Sequence, residues 1–384
     1  MQALLLLCVW PFPFQQTIND PSPMYASLAT SIGYQLGLHR PRYRGDFDEH
    51  TTMPVQSTSV EMTTWCGCFI VNHNLALRLG VPSAIDPGHA ILAAATNHPD
   101  IPASLVLDLN IALLSKQWLK VLGNDDAVAS GQRQAPEAII QSFESQLAQL
   151  RGRFAGYWSS IGEISYYALQ LQAYSFSISQ QSDSVADTTT TAHTIQAKAV
   201  SAVLQLISEA ANEDKFKKYW PASAKYAVVF AACIGIFVAA TTTETMTKLS
   251  LLGACRDAVT VMKGWSLFPK DQITRIATHV TNAILRIESQ TQSTSTMGPG
   301  KPPVTSRMTA NIPYRVLWSA KHGRAFSSGT DTHGSVPQKM PDDTIPQQEV
   351  TMYADSFGMD AFDDLNDASF TDIFLDWQQL LDIG

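Results

Sequence analysis

Two stretches decide the fold of this chain: MYASLATSIGYQLGLHR at residues 24–40 and EMTTWCGCFIVNHNLALRLGVP at residues 61–82. The first has apolar side chains at helical spacing: Tyr25, Leu28, Ala29, Ile32 and Leu36. Ser22 suits the N-cap, Pro23 suits the first helical position and Gly37 suits a C-terminal stop. This stretch therefore predicts an amphipathic helix with defined ends.

The second stretch predicts another helix, which ends where Gly80-Val81-Pro82 breaks the chain. One stripe of its surface carries seven residues: Trp65, Cys68, Phe69, Asn72, Leu75, Ala76 and Leu79. A stripe of this kind is buried against a neighbour. We expect the two helices to pack on each other and on a larger core.

The two predicted helices together resemble the central region of fungal zinc-cluster transcription factors. The matching positions are Gly37, Leu38, His39, Arg40, Trp65, Arg78, Gly80 and Pro82. The N-terminal segment QALLLLCVWPFPF, followed by Asp20-Pro21-Ser22, is similar to the branch that contains the leucine-biosynthesis regulator. The resemblance covers roughly residues 1–82, with Met62-Thr63-Thr64 in the place of a basic pair, and then fades into a helix-rich pattern.

The resemblance implies a nuclear regulatory domain that restrains an activation segment until a small metabolite or a partner alters its packing. A homodimer is compatible with it. Arg40 and Arg78 are candidates for an anion site or an inter-helix ion pair, and we favour the ion pair. His39 is expected to form a cap or an inter-helix hydrogen bond and not to bind a ligand.

The family's DNA-binding module holds two zinc ions with six closely spaced cysteines, and this sequence has no such set. Its five cysteines lie at positions 8, 66, 68, 233 and 255 in apolar surroundings, which favours buried, reduced thiols. We expect no cofactor in this chain, with zinc and DNA bound only by a missing N-terminal module. We interpret the sequence as an N-terminally truncated gene model, a fragment or a degenerate paralogue.

The rest of the body, to residue 288, also predicts helices and no strands, so the fold class is all-α. The predicted helices cover residues 101–122, 136–151, 157–178, 194–211, 226–243, 248–263 and 270–287. No residue from Tyr226 to Thr243 is charged, but Gly235 and three consecutive threonines favour a buried core helix over a membrane span. Leu4–Leu7 is likewise predicted to be part of a core helix and not a signal peptide.

Composition changes after this body. Residues 289–345 are rich in Ser, Thr, Gly, Pro and Gln, which predicts a flexible linker. Within it, Tyr314–Leu317, Trp318 and Lys321–Arg324 form a basic and aromatic island, a weak signal for nucleic-acid binding.

The net charge of −8 has its source at the C-terminus, because residues 342–384 hold ten Asp, Glu349 and no Lys or Arg. Within the predicted activation segment, residues 346–384, six apolar side chains fall at helical spacing: Phe370, Ile373, Phe374, Trp377, Leu380 and Leu381. Carboxylates between them keep the segment soluble, so it can fold as a helix into the groove of a transcriptional coactivator. The alternative is a C-terminal helix docked on the chain's own body.

Catalytic signatures such as H-E-x-x-H, G-x-S-x-G or a glycine-rich phosphate loop do not occur in the sequence. His73 has Cys66 and Cys68 nearby, which could suggest a metal site. The two cysteines are two positions apart, so on a helix their side chains point about 200° apart and cannot both face one ion. Core packing is therefore favoured over a metal. We therefore predict a regulatory and activation part of an RNA polymerase II transcription factor. The alternatives are a truncated interaction protein that competes for partners, and an all-α enzyme.

Overall fold

The computed structural model describes residues 1–15, 19–47, 58–96, 101–123, 137–180, 189–212, 219–290, 304 and 306–322. These residues form twelve α-helices, three short 3-10 segments and no strand, so the predicted all-α class is confirmed. The helices are α1 (Gln2–Val9), α2 (Ser22–Gln35), α3 (Thr58–Leu79), α4 (His89–Ala95), α5 (Ala103–Gly123), α6 (Glu137–Arg153), α7 (Ser160–Gln180), α8 (Thr189–Ala211), α9 (Ala222–Thr241), α10 (Thr245–Trp265), α11 (Gln272–Gln290) and α12 (Asn311–His322).

The buried apolar side chains form two clusters, which we call the N-terminal core and the C-terminal core. The N-terminal core joins α1 to α5 and receives Leu150 and Phe154 from the end of α6 and the residue that follows it. The C-terminal core joins α6 to α12 and receives Leu79 from the end of α3. Helices α3, α5 and α6 contribute to both cores and so connect them.

Helix α9 lies at the centre of the C-terminal core. Every residue from Val228 to Ala239 except Phe230 is buried, and α9 packs against α7, α8, α10, α11 and α12. It is the one described helix that is long and apolar enough to span a membrane. Its burial by neighbouring helices confirms the predicted core helix, because an all-round apolar helix needs partners on every face.

Helix α2 differs from its prediction in two respects. Ser22 is not the N-cap: it is the first helical residue, and its backbone N–H donates to Asp20 Oδ1 at 2.9 Å. Leu28 and Leu36 are 49% and 43% exposed, whereas Ala26, Ala29 and Gly33 are buried. Small residues line the buried face because α2 lies close to its neighbours: a Cβ at Gly33 would come within 2.9 Å of the Trp65 ring.

The predicted flexible linker over residues 289–345 is wrong for residues 306–322. That segment forms a 3-10 turn (Met308–Ala310) and α12, which packs on α9 and α11. Tyr314 and Leu317 of the supposed basic and aromatic island are 3% and 0% exposed, so they belong to the C-terminal core and cannot stack on nucleic-acid bases. The sequence between α11 and this segment is polar, which concealed the helix that follows.

The predicted activation segment, residues 346–384, lies outside the described residues, as do Phe370, Ile373, Phe374, Trp377, Leu380 and Leu381. Its predicted helix and its partner stay predictions. The division into a body, a linker and an activation segment also stays a prediction, apart from the segment corrected above.

Candidate effector-binding site

Two of the family-like residues, His39 and Trp65, belong to an aromatic cluster near the start of the chain, in which Trp65 is 2% exposed. The His39 ring lies between Tyr34 and Phe47, with ring centroids 5.0 and 5.3 Å away, and 6.1 Å from the Trp65 ring. Its buried Nδ1 has no hydrogen-bond partner among the described residues, and the cap or inter-helix hydrogen bond expected of His39 stays a prediction. The described contacts of His39 are those of its ring with the three aromatic side chains.

Two glycines end the helices that carry this motif. Gly37 and Gly80 both have φ of +68°, the left-handed region that favours glycine. Each ends its helix with a backbone hydrogen bond beyond the glycine, from Leu38 N to Gly33 O and from Val81 N to Ala76 O. The predicted stops are confirmed. Gly80 also lets the 3-10 turn approach, because a Cβ there would lie 2.4 Å from the Arg307 carbonyl oxygen.

Arg78 forms a buried ion pair. Its Nη2 lies 2.5 Å from Asp20 Oδ2, and the two side chains are 5% and 2% exposed. Its Nη1 donates to the Tyr226 hydroxyl at 3.1 Å, which donates in turn to Gln272 Oε1 at 2.6 Å. Burial opposes the charge, but the Tyr226 hydroxyl and Asp20 raise the pKa of Arg78 above its ordinary value. Of the two arginines considered for an ion pair, Arg78 forms one, whereas Arg40 is exposed.

The polar chain from Asp20 to Gln272 crosses from the N-terminal core to α9 and α11. The segment before α2 runs beside it: Trp10 Nε1 donates to the Tyr219 carbonyl at 2.8 Å, and Gln272 N donates to the Phe14 carbonyl at 3.0 Å. These bonds join residues more than 200 positions apart in the chain. The start of the chain is thus fastened to the C-terminal core at several points.

A cavity of about 150 Å³ lies where the two cores meet. Its walls come from α1, α3, α5, α7, α9, the 3-10 turn before α12 and α12 itself, and most of the lining is apolar. Arg78, Tyr226 and His73 are among the residues that line it. Because seven elements contribute to its wall, the cavity exists only when the two cores are packed together.

His73 is the unusual group in this wall. It is 2% exposed and lies parallel to the Phe69 ring, with an interplanar angle of 7°. Burial, with a further contribution from the charge of Lys116, lowers the pKa of His73 to about 3, so the ring is neutral at physiological pH. Neither ring nitrogen has a hydrogen-bond partner among the described residues. A neutral imidazole offers one donor and one acceptor.

The five cysteines are all buried and unpaired, as predicted for thiols in a reducing environment. Burial raises the pKa of Cys8, Cys66, Cys68 and Cys255 to about 12, and raises that of Cys233 as well. The described residues bring no three His, Cys, Asp or Glu side chains together in a way that could hold a metal ion. The described residues therefore do not fit a zinc cluster. His73 packs in the core.

Sequence reasoning missed Asp20, Tyr226 and Gln272 as partners of Arg78, and it missed the cavity. The sequence analysis singled out Asp20 only as part of the family-like tripeptide Asp20-Pro21-Ser22. Arg78 lies 58 residues further along the chain, and no pattern in a single sequence pairs the two residues. The cysteines near His73 drew attention to a metal, whereas the informative signal was a histidine on the apolar side of a helix.

Comparison with known proteins places the chain among relatives described as transcriptional regulators of fungi. It is 28% identical over 177 residues to "Putative transcription factor SEF1" of Eremothecium gossypii, which covers 46% of this chain and 17% of that protein. It is 40% identical over 81 residues to the protein of the same name in Saccharomyces cerevisiae, which covers 21% of this chain and 7% of the relative. The "Transcriptional regulatory protein SEF1" of Candida albicans is 23% identical over 128 residues, 32% of this chain and 14% of that protein.

The chain thus spans less than a fifth of the length of these curated relatives. No family model and no solved structure matches it. The similarity supports the fungal transcription factors expected from the sequence. The narrower resemblance to the leucine-biosynthesis branch stays a prediction.

Proposed function

We propose that this chain is the regulatory and activation part of a fungal transcription factor of RNA polymerase II genes and that it acts in the nucleus. The observation that carries the proposal is the 40% identity over 81 residues to a protein named as a transcription factor. The all-helical body adds support, because it agrees with the helical regulatory domain that the sequence motifs imply.

In this proposal the body transmits a regulatory signal. Its two cores meet at a cavity and at one buried ion pair, so a small metabolite or a partner that alters this junction would change how the cores pack. A packing change of that kind is a suitable input for a regulator, since packed cores switch between discrete arrangements. Metabolic genes are the proposed targets.

The acidic C-terminal segment is the proposed output. Its six apolar side chains, from Phe370 to Leu381, would fold as a helix into the apolar groove of a coactivator, with the aspartates facing solvent. DNA would be contacted by a zinc-cluster module of the longer protein, because the described residues do not fit such a cluster. Dimerisation through the body is compatible with this arrangement.

The test is a fusion of residues 342–384 to a heterologous DNA-binding domain, measured with a reporter gene. We expect activation, and we expect Phe374→Ala with Trp377→Ala to lower it about tenfold or more, because buried aromatic anchors dominate such interfaces. The matched control is Gln378→Ala with Gln379→Ala in the same segment, which should leave the reporter unchanged. A silent fusion would refute the proposed output, as would equal activity of the unaltered fusion and both variants.

A further inference from the structure

A second space, a groove of about 320 Å³, lies between α5 and α6. We call it the α5–α6 groove. Each helix contributes one face, with residues at positions i, i+3, i+4 and i+7: Asn110, Leu113, Leu114 and Gln117 from α5, and Gln146, Gln149, Leu150 and Arg153 from α6. Its volume falls in the range of small-molecule sites in proteins.

Two contacts between the helices mark the ends of the α5–α6 groove. At one end Arg153 Nη2 donates to Asn110 Oδ1 at 2.6 Å, and at the other end Trp118 Nε1 donates to Gln146 Oε1 at 3.2 Å. Gln146 and Arg153 are two turns of α6 apart, so the ends are separated by about 10 Å. Three leucines line the groove together with these polar residues: Leu113, Leu114 and Leu150. The groove therefore suits an elongated ligand with an apolar middle.

The Arg153 end carries a positive charge that no carboxylate of the described residues balances. The guanidinium of Arg153 is bound to Asn110 and lies over the Phe154 ring, 4.6 Å from its centroid. It has five N–H donors, so several are left for a ligand. Arg153 and the neighbouring Gln149 are exposed, so a ligand can reach them. An anionic group is favoured at this end, because a carboxylate matches a guanidinium in charge and shape.

The Gln146 end offers a hydrogen-bond donor of fixed direction. An indole N–H can only donate, so Gln146 turns its carbonyl oxygen towards Trp118 and its NH2 group away from it. Gln146 is half-buried in the wall of the groove, and no described residue accepts a hydrogen bond from its NH2 group. A ligand that places a carbonyl oxygen here gains a hydrogen bond.

We propose that the α5–α6 groove binds a small elongated carboxylate. Its anionic end pairs with Arg153, its apolar middle lies on the three leucines, and an uncharged acceptor at its far end accepts from Gln146. The binding does not depend on the proposed function, whereas any regulatory meaning of it does. Helices α5 and α6 both contribute to both cores, so a ligand that bridges them stabilises the present packing of the cores.

Three probes of nearly equal shape test the proposal on the full chain: 4-acetylbenzoate, 4-acetylbenzamide and 4-isopropylbenzoate. The first has both end groups, the second lacks the charge and the third lacks the far acceptor. Ligand-observed NMR measures each Kd. We expect a Kd of about 1 mM or tighter for 4-acetylbenzoate. 4-Acetylbenzamide should bind about tenfold more weakly and 4-isopropylbenzoate about fivefold more weakly, the values of one charged and one neutral hydrogen bond.

Two variants and a control localise the binding. Arg153→Met should lower the affinity of 4-acetylbenzoate to that of 4-acetylbenzamide. Gln146→Glu keeps an acceptor for Trp118 but replaces the NH2 group with an oxygen, so 4-acetylbenzoate should lose its advantage over 4-isopropylbenzoate. Arg256→Met removes an arginine of α10 that lies outside the groove, and it should leave the three Kd values unchanged.

The proposal is overturned if no probe binds, which would leave a groove that holds water only. It is also overturned if either of the other probes binds as tightly as 4-acetylbenzoate, or if Arg153→Met and Arg256→Met have the same effect. The ranking of the probes on the unaltered chain does not depend on any variant folding. No reporter gene enters these measurements, so a failure of binding and a failure of activation are separate results.

Discussion

The two cores are built in different ways. In the C-terminal core, helices that follow each other in the chain pack against each other, from α7 to α12, around the apolar helix α9. The N-terminal core depends on a few special contacts: two left-handed glycines, the aromatic cluster at Trp65 and the buried Arg78–Asp20 pair. Both cores contain many buried apolar side chains, but the N-terminal core adds contacts that each depend on a single residue.

The largest expected effect is the loss of stability when an ion pair is removed. Arg78→Met leaves the Asp20 carboxylate buried without its partner and should lower the free energy of unfolding by about 3–5 kcal/mol. Arg256→Met removes the exposed pair with Glu288 between α10 and α11 and should cost less than about 1 kcal/mol. Urea denaturation measures both values.

Adding Asp20→Asn to Arg78→Met should recover part of the loss, because the uncompensated charge disappears. Equal costs for the two arginine variants would contradict the contrast between the cores.

The next effect is a pH dependence that comes from His73. Its pKa is about 3 in the folded chain, against about 6.5 for the ordinary group, so below pH 6.5 the unfolded chain binds a proton that the folded chain does not. The free energy of unfolding should therefore fall as the medium becomes acidic, by about 2 kcal/mol between pH 7 and pH 5 from this residue alone. The His73 contribution is fully present above pH 6.5 and is lost progressively towards pH 3.

The measurement is the difference between the unaltered chain and His73→Phe in denaturant titrations at several pH values. Other titrating groups contribute to both proteins and cancel. His89→Gln, at an exposed site, should retain the full slope. Parallel curves for the unaltered chain and His73→Phe would show that the ring titrates normally.

The smallest expected effect is the change in stability when a glycine is replaced by alanine, and its sign differs between the two regions. Gly37→Ala places a side chain on a residue with φ of +68° and should destabilise the chain by about 1–2 kcal/mol. Gly253→Ala lies within α10, where a Cβ meets nothing within 4 Å, and should stabilise by about 0.5–1 kcal/mol. Thermal unfolding followed by circular dichroism gives both signs, and a loss at both positions would be the contradicting result.

The sequence predicted the C-terminal core better than the N-terminal one, for a physical reason. A long helix with one buried face leaves a periodic pattern, and α11 and α9 were both recognised, the second by its lack of charge. In α2 the buried face consists of Ala26, Ala29 and Gly33, so the larger Leu28 drew the prediction to the wrong face. Close helix packing needs small residues, and small residues carry little hydrophobic signal.

The candidate site could be predicted only in part. The local features of its motif, such as the stops at Gly37 and Gly80, follow from a single residue type and were predicted. The partners of Arg78 and the cavity beside His73 arise where distant segments meet, and no local pattern encodes such a meeting. Helix α12 was missed for a related reason, since twelve residues inside a polar stretch give too short a pattern.

The five enclosed thiols have a consequence for oxidative chemistry. Alkylating reagents and peroxides attack the thiolate, and burial suppresses that form at every cysteine of the chain. The cysteines of the folded protein are therefore insensitive to oxidants. The rate at which a maleimide labels them becomes a measure of how often the helices come apart.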